Sequence, residues 1–127
     1  MEGGAGRPTI LLAEDETGVG RVISGHLGDE GLEVRWVRTI REARVELREH
    51  PPDLLLLDTS LETDGLEFFQ ALRSLPEHPR GGVVVLADER DVRARERALQ
   101  LGAAAVVTKP LRDQTVRTTV RELVACL

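Results

Sequence analysis

The chain has 127 residues and a net charge of −5, enough for one hydrophobic core and too few for two domains. With 41% hydrophobic and 31% charged residues, it falls outside disordered and low-complexity compositions. No apolar run reaches membrane-spanning length, and residues 1–7, read as a flexible lead, lack the apolar stretch of a secretory signal, so the cytoplasm is the default compartment. The acidic balance and the scarcity of aromatics, Trp36, Phe68 and Phe69 alone, argue against direct nucleic-acid binding. A lone cysteine, Cys126, excludes an internal disulfide and a cysteine metal site.

In chain order, residues 9–13 form a short apolar run that opens into Glu14, Asp15 and Glu16, the pattern of a buried strand ending in acids. Val19, Val22, Ile23 and Leu27 at spacings of three and four predict a first helix. Residues 32–37 alternate weakly, as an edge strand does. Thr39 and Glu42 make a capping box for a second helix, with Ile40, Ala43, Val45 and Leu47 as its apolar side. Pro51 and Pro52 end it, and four consecutive leucines between Asp53 and Asp58 predict the central strand, buried on both faces.

A third helix follows Asp64 and Gly65, with Leu66, Phe69, Leu72 and Leu75 inward, and residues 83–86 form a fourth buried strand. A fourth helix covers about residues 91–101, with Val92, Ala98, Leu99 and Leu101 inward and an arginine-rich outer face. Residues 103–108 supply the fifth strand, and Val116, Val120, Leu123 and Val124 mark a last helix. Such alternation predicts a parallel α/β sheet with helices on both faces, whose ligand site lies beyond the carboxyl ends of the strands.

The polar residues at those ends are Glu14 and Asp15, then Asp58, then Ala87 and Asp88, then Thr108 and Lys109. Glu14 and Asp15 alone would serve as a helix cap, and Asp58 alone as a turn acid. Together they place three carboxylates at one rim, and like charges that close require a cation. A hard divalent ion with oxygen ligands, Mg²⁺, fits best, because His26, His50 and His78 fall elsewhere. All seventeen basic residues but one are Arg, and the exception is Lys109 at this rim, a compact ammonium that suits pairing with a carboxylate or an anionic oxygen. A metal and an ammonium around an acid suit phosphoryl transfer onto that acid.

Glu14-Asp15, the Asp58 that ends the leucine run, Asp64-Gly65, and Lys109-Pro110 after Leu101-Gly102-Ala103 together resemble the receiver domain of two-component response regulators, from about Pro8 to Leu127. The resemblance implies a flavodoxin-like three-layer sandwich of five helices around a five-stranded parallel sheet in the order 2-1-3-4-5. On it, residues 1–127 are a single receiver domain with no effector domain. Asp58 is then the phosphoacceptor for a sensor histidine kinase or phosphotransfer protein, with Mg²⁺ held by Asp15, Asp58 and the Ser60 backbone carbonyl. Glu14 acts through a water on the ion, Lys109 contacts the phosphoryl oxygen, and the Lys109-Pro110 bond is cis. A downstream protein partner is expected on the face of helix four, strand five and helix five, with Arg93, Arg97 and Arg117 on it.

The sequence departs from that family at four places. Ala87 stands where a Ser or Thr hydroxyl usually contacts the phosphoryl group, and Val106 where an aromatic ring usually turns inward. Asp88 follows Ala87 at a usually small position, and Glu62 replaces a Pro in a loop one residue shorter. The acids and Lys109 suffice for metal binding and phosphorylation, whereas the usual switch is absent, so the output must differ or be absent. The alternative is a phosphorylation-independent pseudo-receiver that acts as a protein-interaction module. A phosphatase with an Asp nucleophile ranks last, because Ser60 stands where its general acid would be.

Overall fold

The computed structural model describes residues 6–127; residues 1–5, part of the expected flexible lead, lie outside the described residues. Five strands, β1 (Thr9–Ala13), β2 (Glu33–Val37), β3 (Leu54–Asp58), β4 (Val83–Asp88) and β5 (Ala105–Lys109), alternate with α1 (Thr17–Asp29), α2 (Ile40–Glu49), α3 (Gly65–Leu72), α4 (Val92–Gln100) and α5 (Asp113–Ala125). All pairings are parallel and the order is β2-β1-β3-β4-β5. The expected edge position of β2 and central position of β3 are both found.

The alternation of side chains along a strand divides the core in two. Leu55 and Leu57 join Leu11, Val83 and Val85 against α2, α3 and α4, where Leu47, Phe69, Leu72 and Ala98 meet them. Leu54 and Leu56 join Ile10, Leu12, Val84 and Leu86 against α1 and α5, through Ile23, Leu27, Val116 and Val120. The four leucines of β3 are at most 1% exposed, which is why a continuous apolar run marks this strand.

The helical stripes are narrower than expected. Val22, Val45, Leu75, Val92 and Leu99 are all exposed, Leu99 by 59%. In α1 the buried stripe is Gly20, Ile23 and Leu27, and in α4 it is Ala94 and Ala98, continued by Leu101 beyond the helix end. Each of these helices carries more apolar residues than its one sheet-facing stripe can bury. The fifth strand begins at Ala105, because Gly102, at φ 91, ends α4 with the amides of Gly102 and Ala103 on the carbonyls of Leu99 and Ala98. Among the described residues no helix is long and apolar enough to cross a membrane.

Candidate functional site

The parallel sheet brings the ends of β1, β3 and β5 to one rim. Glu14 and Asp15 follow β1, Asp58 closes β3 and Lys109 closes β5. Oxygen atoms of Glu14, Asp15 and Asp58 all lie within 4.8 Å of one another, the one such acid cluster among the described residues. Glu14 is fully buried and Asp58 is 2% exposed, whereas Asp15 is exposed.

Lys109 bridges the two buried acids. Its Nζ lies 2.8 Å from Glu14 Oε1, a charge contact without hydrogen-bond alignment, and donates to Asp58 Oδ2 at 3.1 Å. The other Asp58 oxygen, Oδ1, accepts from the amide and the hydroxyl of Ser60, both at 3.1 Å. Glu14 Oε2 accepts from the Glu16 amide at 3.1 Å, so Glu14 supports the start of α1 as well as the rim. The Lys109-Pro110 bond is cis, as expected.

Burial, and then the Asp58 carboxyl close beside it, push the Glu14 carboxyl up to about 7. Burial disfavours charge on Asp58 too, but the neighbouring Glu14 carboxyl, the hydrogen bond from the Ser60 amide and the Lys109 charge outweigh it and hold Asp58 below the usual carboxylate range. Burial likewise opposes the Lys109 charge, and the Glu14 and Asp58 carboxyls more than offset it, raising the ammonium above its ordinary value. The convergence of carboxyls at this rim thus makes Glu14 easier to protonate than an exposed glutamate. A set of hard oxygen donors with charge to spare fits a divalent cation such as Mg²⁺, with Asp15, Asp58 and the Ser60 carbonyl as candidate ligands.

Ala87 and Asp88 close β4 beside this rim, whereas Val106 is the second residue of β5. Ala87 is fully buried and pairs with Thr108, while Val106 pairs with Val85 and packs on the core facing α2, α3 and α4. Asp88 does not cap α4; Asp91 does, accepting from the Ala94 amide. Asp88 instead accepts from the Arg90 amide at 2.8 Å and from its guanidinium through two bonds of 3.1 Å, and that fork holds Asp88 down at about 2. The Asp-x-Arg spacing is a local signal that could have revealed this pair. Of the arginines expected on the α4–β5–α5 face, Arg97 reaches α3 through Gln70 at 3.3 Å. Arg117 pairs with Glu30, just beyond the end of α1, at 3.3 Å.

Three contacts carried no sequence signal. The Trp36 indole N–H donates to the Glu14 carbonyl at 2.8 Å, and Glu62 links the β3–α3 connection both to Asp15 and to α2. Gly65 is explained by close approach, because a Cβ there would collide with the Asp58 carbonyl oxygen.

A family described as the response regulator receiver domain matches residues 10–121. The phosphate regulon transcriptional regulatory protein PhoB of Rhizobium meliloti is 36% identical over 104 residues, 81% of this chain and 46% of that protein. The nitrogen assimilation regulatory protein NtrX of Azorhizobium caulinodans is 31% identical over 118 residues, 90% of this chain and 26% of that protein. The chain thus spans less than half the length of these relatives. In fold it is similar to the receiver domain of NtrX from Brucella abortus, with TM-score 0.85, 24% identity and coverage of 93% and 99% of the two chains. It is also similar to the chemotaxis response regulator CheY4 of Vibrio cholerae, with TM-score 0.82, 22% identity and coverage of 92% and 98%.

Proposed function

Since the chain belongs to the response regulator receiver domain family of two-component signalling, we propose that Asp58 takes a phosphoryl group from the phosphohistidine of a sensor histidine kinase or phosphotransfer protein. The observation that carries this reading is the joint hold of Lys109 on the buried Glu14 and Asp58. It keeps Asp58 ionised at the end of a rigid strand and places an ammonium beside the oxygen that would receive phosphorus.

In the transfer a carboxylate oxygen of Asp58 forms the new O–P bond as the P–N bond breaks, and the electron pair leaves on the imidazole nitrogen. Lys109 exchanges its carboxylate partner for an oxygen of the transferred group. Ser60 steadies the acceptor through its amide and hydroxyl. A divalent cation, Mg²⁺, held by Asp15, Asp58 and the Ser60 backbone carbonyl with Glu14 in its outer shell, would supply charge neutralisation on the transferring oxygens. On this reading the chain catalyses its own phosphorylation and dephosphorylation and works in the cytoplasm, where it meets its donor.

The output is atypical. Ala87 brings no hydroxyl to the phosphoryl group and Val106 no ring to turn inward, so a downstream protein partner on the α4–β5–α5 face would read a different change. The full burial of Ala87 and the Asp88–Arg90 pair at the rim favour the second reading, an interaction module independent of phosphorylation. Acetyl phosphate with and without Mg²⁺, read by intact mass, separates the two. An adduct that needs Mg²⁺ and disappears in Asp58→Asn supports the phosphoacceptor; no adduct from either acetyl phosphate or a phosphorylated phosphotransfer protein supports the module.

A further inference from the structure

Among the described residues, the non-glycine positions with left-handed backbone are Glu62 (φ 50) and Thr63 (φ 65), consecutive in the β3–α3 connection. Neither residue favours that region, and a β-branched Thr favours it least. Their amides point at the rim. The Glu62 N–H donates to Asp15 Oδ2 at 3.3 Å, and the Thr63 N–H donates to the Ser60 carbonyl at 2.9 Å. The two strained residues therefore bond to two of the oxygen groups assigned above to the cation.

The strained turn is held from both ends. Leu61 is fully buried, and the Glu62 carboxylate accepts from the Ile40 amide at 2.6 Å, the first residue of α2. A carboxylate is well placed there, where helix amides lack partners. Capping alone does not account for the arrangement, because Thr39 already accepts from the Glu42 amide at 3.0 Å and Glu42 from the Arg38 amide at 3.0 Å.

We infer that Glu62 is a positioning residue that sets the affinity of the rim for a divalent cation. By clamping the loop to α2 it holds the Glu62 and Thr63 amides on Asp15 and the Ser60 carbonyl, so an incoming ion shares these oxygens with two donors and draws them inward only by pulling against the hold on the first turn of α2. This rests on the reading that Asp15, Asp58 and the Ser60 carbonyl hold the ion.

The test is Mg²⁺ titration by calorimetry of the parent chain, Glu62→Ala, Glu62→Gln and Asp58→Asn, together with amide exchange at Ile40. Glu62→Ala should bind Mg²⁺ about five-fold more tightly, the worth of one net hydrogen bond. Glu62→Gln, whose amide oxygen still accepts from Ile40, should stay within about two-fold of the parent. Loss of a nearby negative charge would by itself weaken cation binding, so charge cannot produce the expected tightening. In the parent, Mg²⁺ should speed exchange of the Ile40 amide. Equal or weaker binding by Glu62→Ala, with Asp58-dependent binding intact in the parent, overturns the clamp and leaves the cation reading standing. No Mg²⁺ binding by either the parent or Glu62→Ala overturns both.

Discussion

The indole N–H of Trp36 on the edge strand β2 donates to the carbonyl oxygen of Glu14 at 2.8 Å, which fixes the backbone of the acid pair from outside the site. The ring occupies space that Gly20 leaves open, since a Cβ at Gly20 would collide with it. The Arg38 guanidinium lies 4.6 Å over its centroid and donates to Thr17 at 2.9 Å. Replacing Trp36 by Phe strands the Glu14 carbonyl and should lower the unfolding free energy by about 1–3 kcal/mol. Urea denaturation followed by circular dichroism checks this.

Stability should fall as pH rises through neutrality when no divalent ion is present. Glu14 titrates near 4.5 when unfolded and at about 7 when folded, so the folded chain binds more protons between those values. The resulting stabilisation is complete below pH 4.5 and is lost as pH passes 7, an effect on the order of 1–3 kcal/mol. Asp58 acts in the opposite sense at lower pH, because its depressed folded value gives stability that is present above about pH 3.8 and lost on acidification. Urea midpoints from pH 5 to pH 8 should show the decline, and Glu14→Gln should flatten it. Mg²⁺ should bind more tightly as pH rises through 7, since the Glu14 proton must leave.

Removing the Lys109 charge should be costly where the acids are ionised. Its side chain is 16% exposed and those of Glu14 and Asp58 are 0% and 3%, so Lys109→Met leaves buried carboxylates uncompensated, at a cost of about 3–5 kcal/mol. The loss should be larger at pH 8 than at pH 5, where the acids can take protons. Lys109→Arg should recover little of it, because a planar fork does not fit where a compact ammonium bridges two oxygens. Thermal unfolding at the two pH values measures both variants.

Gly65→Ala drives a methyl group into the Asp58 carbonyl oxygen. It should cost about 1–3 kcal/mol and displace the strand end that carries the acceptor. Mg²⁺ affinity should drop along with stability, whereas Gly25→Ala, where a Cβ meets open space, should leave binding unchanged. Calorimetry on the two variants separates damage to the rim from a general helix effect.

Arg90→Ala frees Asp88 from its guanidinium partner and should slow phosphorylation by acetyl phosphate, because an unpaired carboxylate then faces the incoming anion. The slowing should shrink as salt is raised. Rates from intact mass at low and high ionic strength test it.

The strand ends were legible in the sequence because β1, β3 and β4 are continuous apolar runs closed by polar residues, and a parallel sheet can assemble such ends in few ways. Val92 and Leu99 were misleading because they lie seven residues apart, a spacing that defines a helical stripe without saying which side it faces; Ala94 and Ala98 mark the buried side. The Glu62–Ile40 and Trp36–Glu14 bonds join residues 22 positions apart. Such contacts follow from how the layers close, and no local pattern announces them.

Leu55 and Leu57 face one core and Leu54 and Leu56 the other, so β3 separates from its neighbours only when both layers come apart. Its amides should exchange by global unfolding, while those of residues 62 and 63 exchange through local opening. Asp58 thus stands at a boundary between two time scales. It is fixed to a floor that moves only with the whole domain, beside a strained turn whose hold is one buried leucine and one carboxylate and which should let go first.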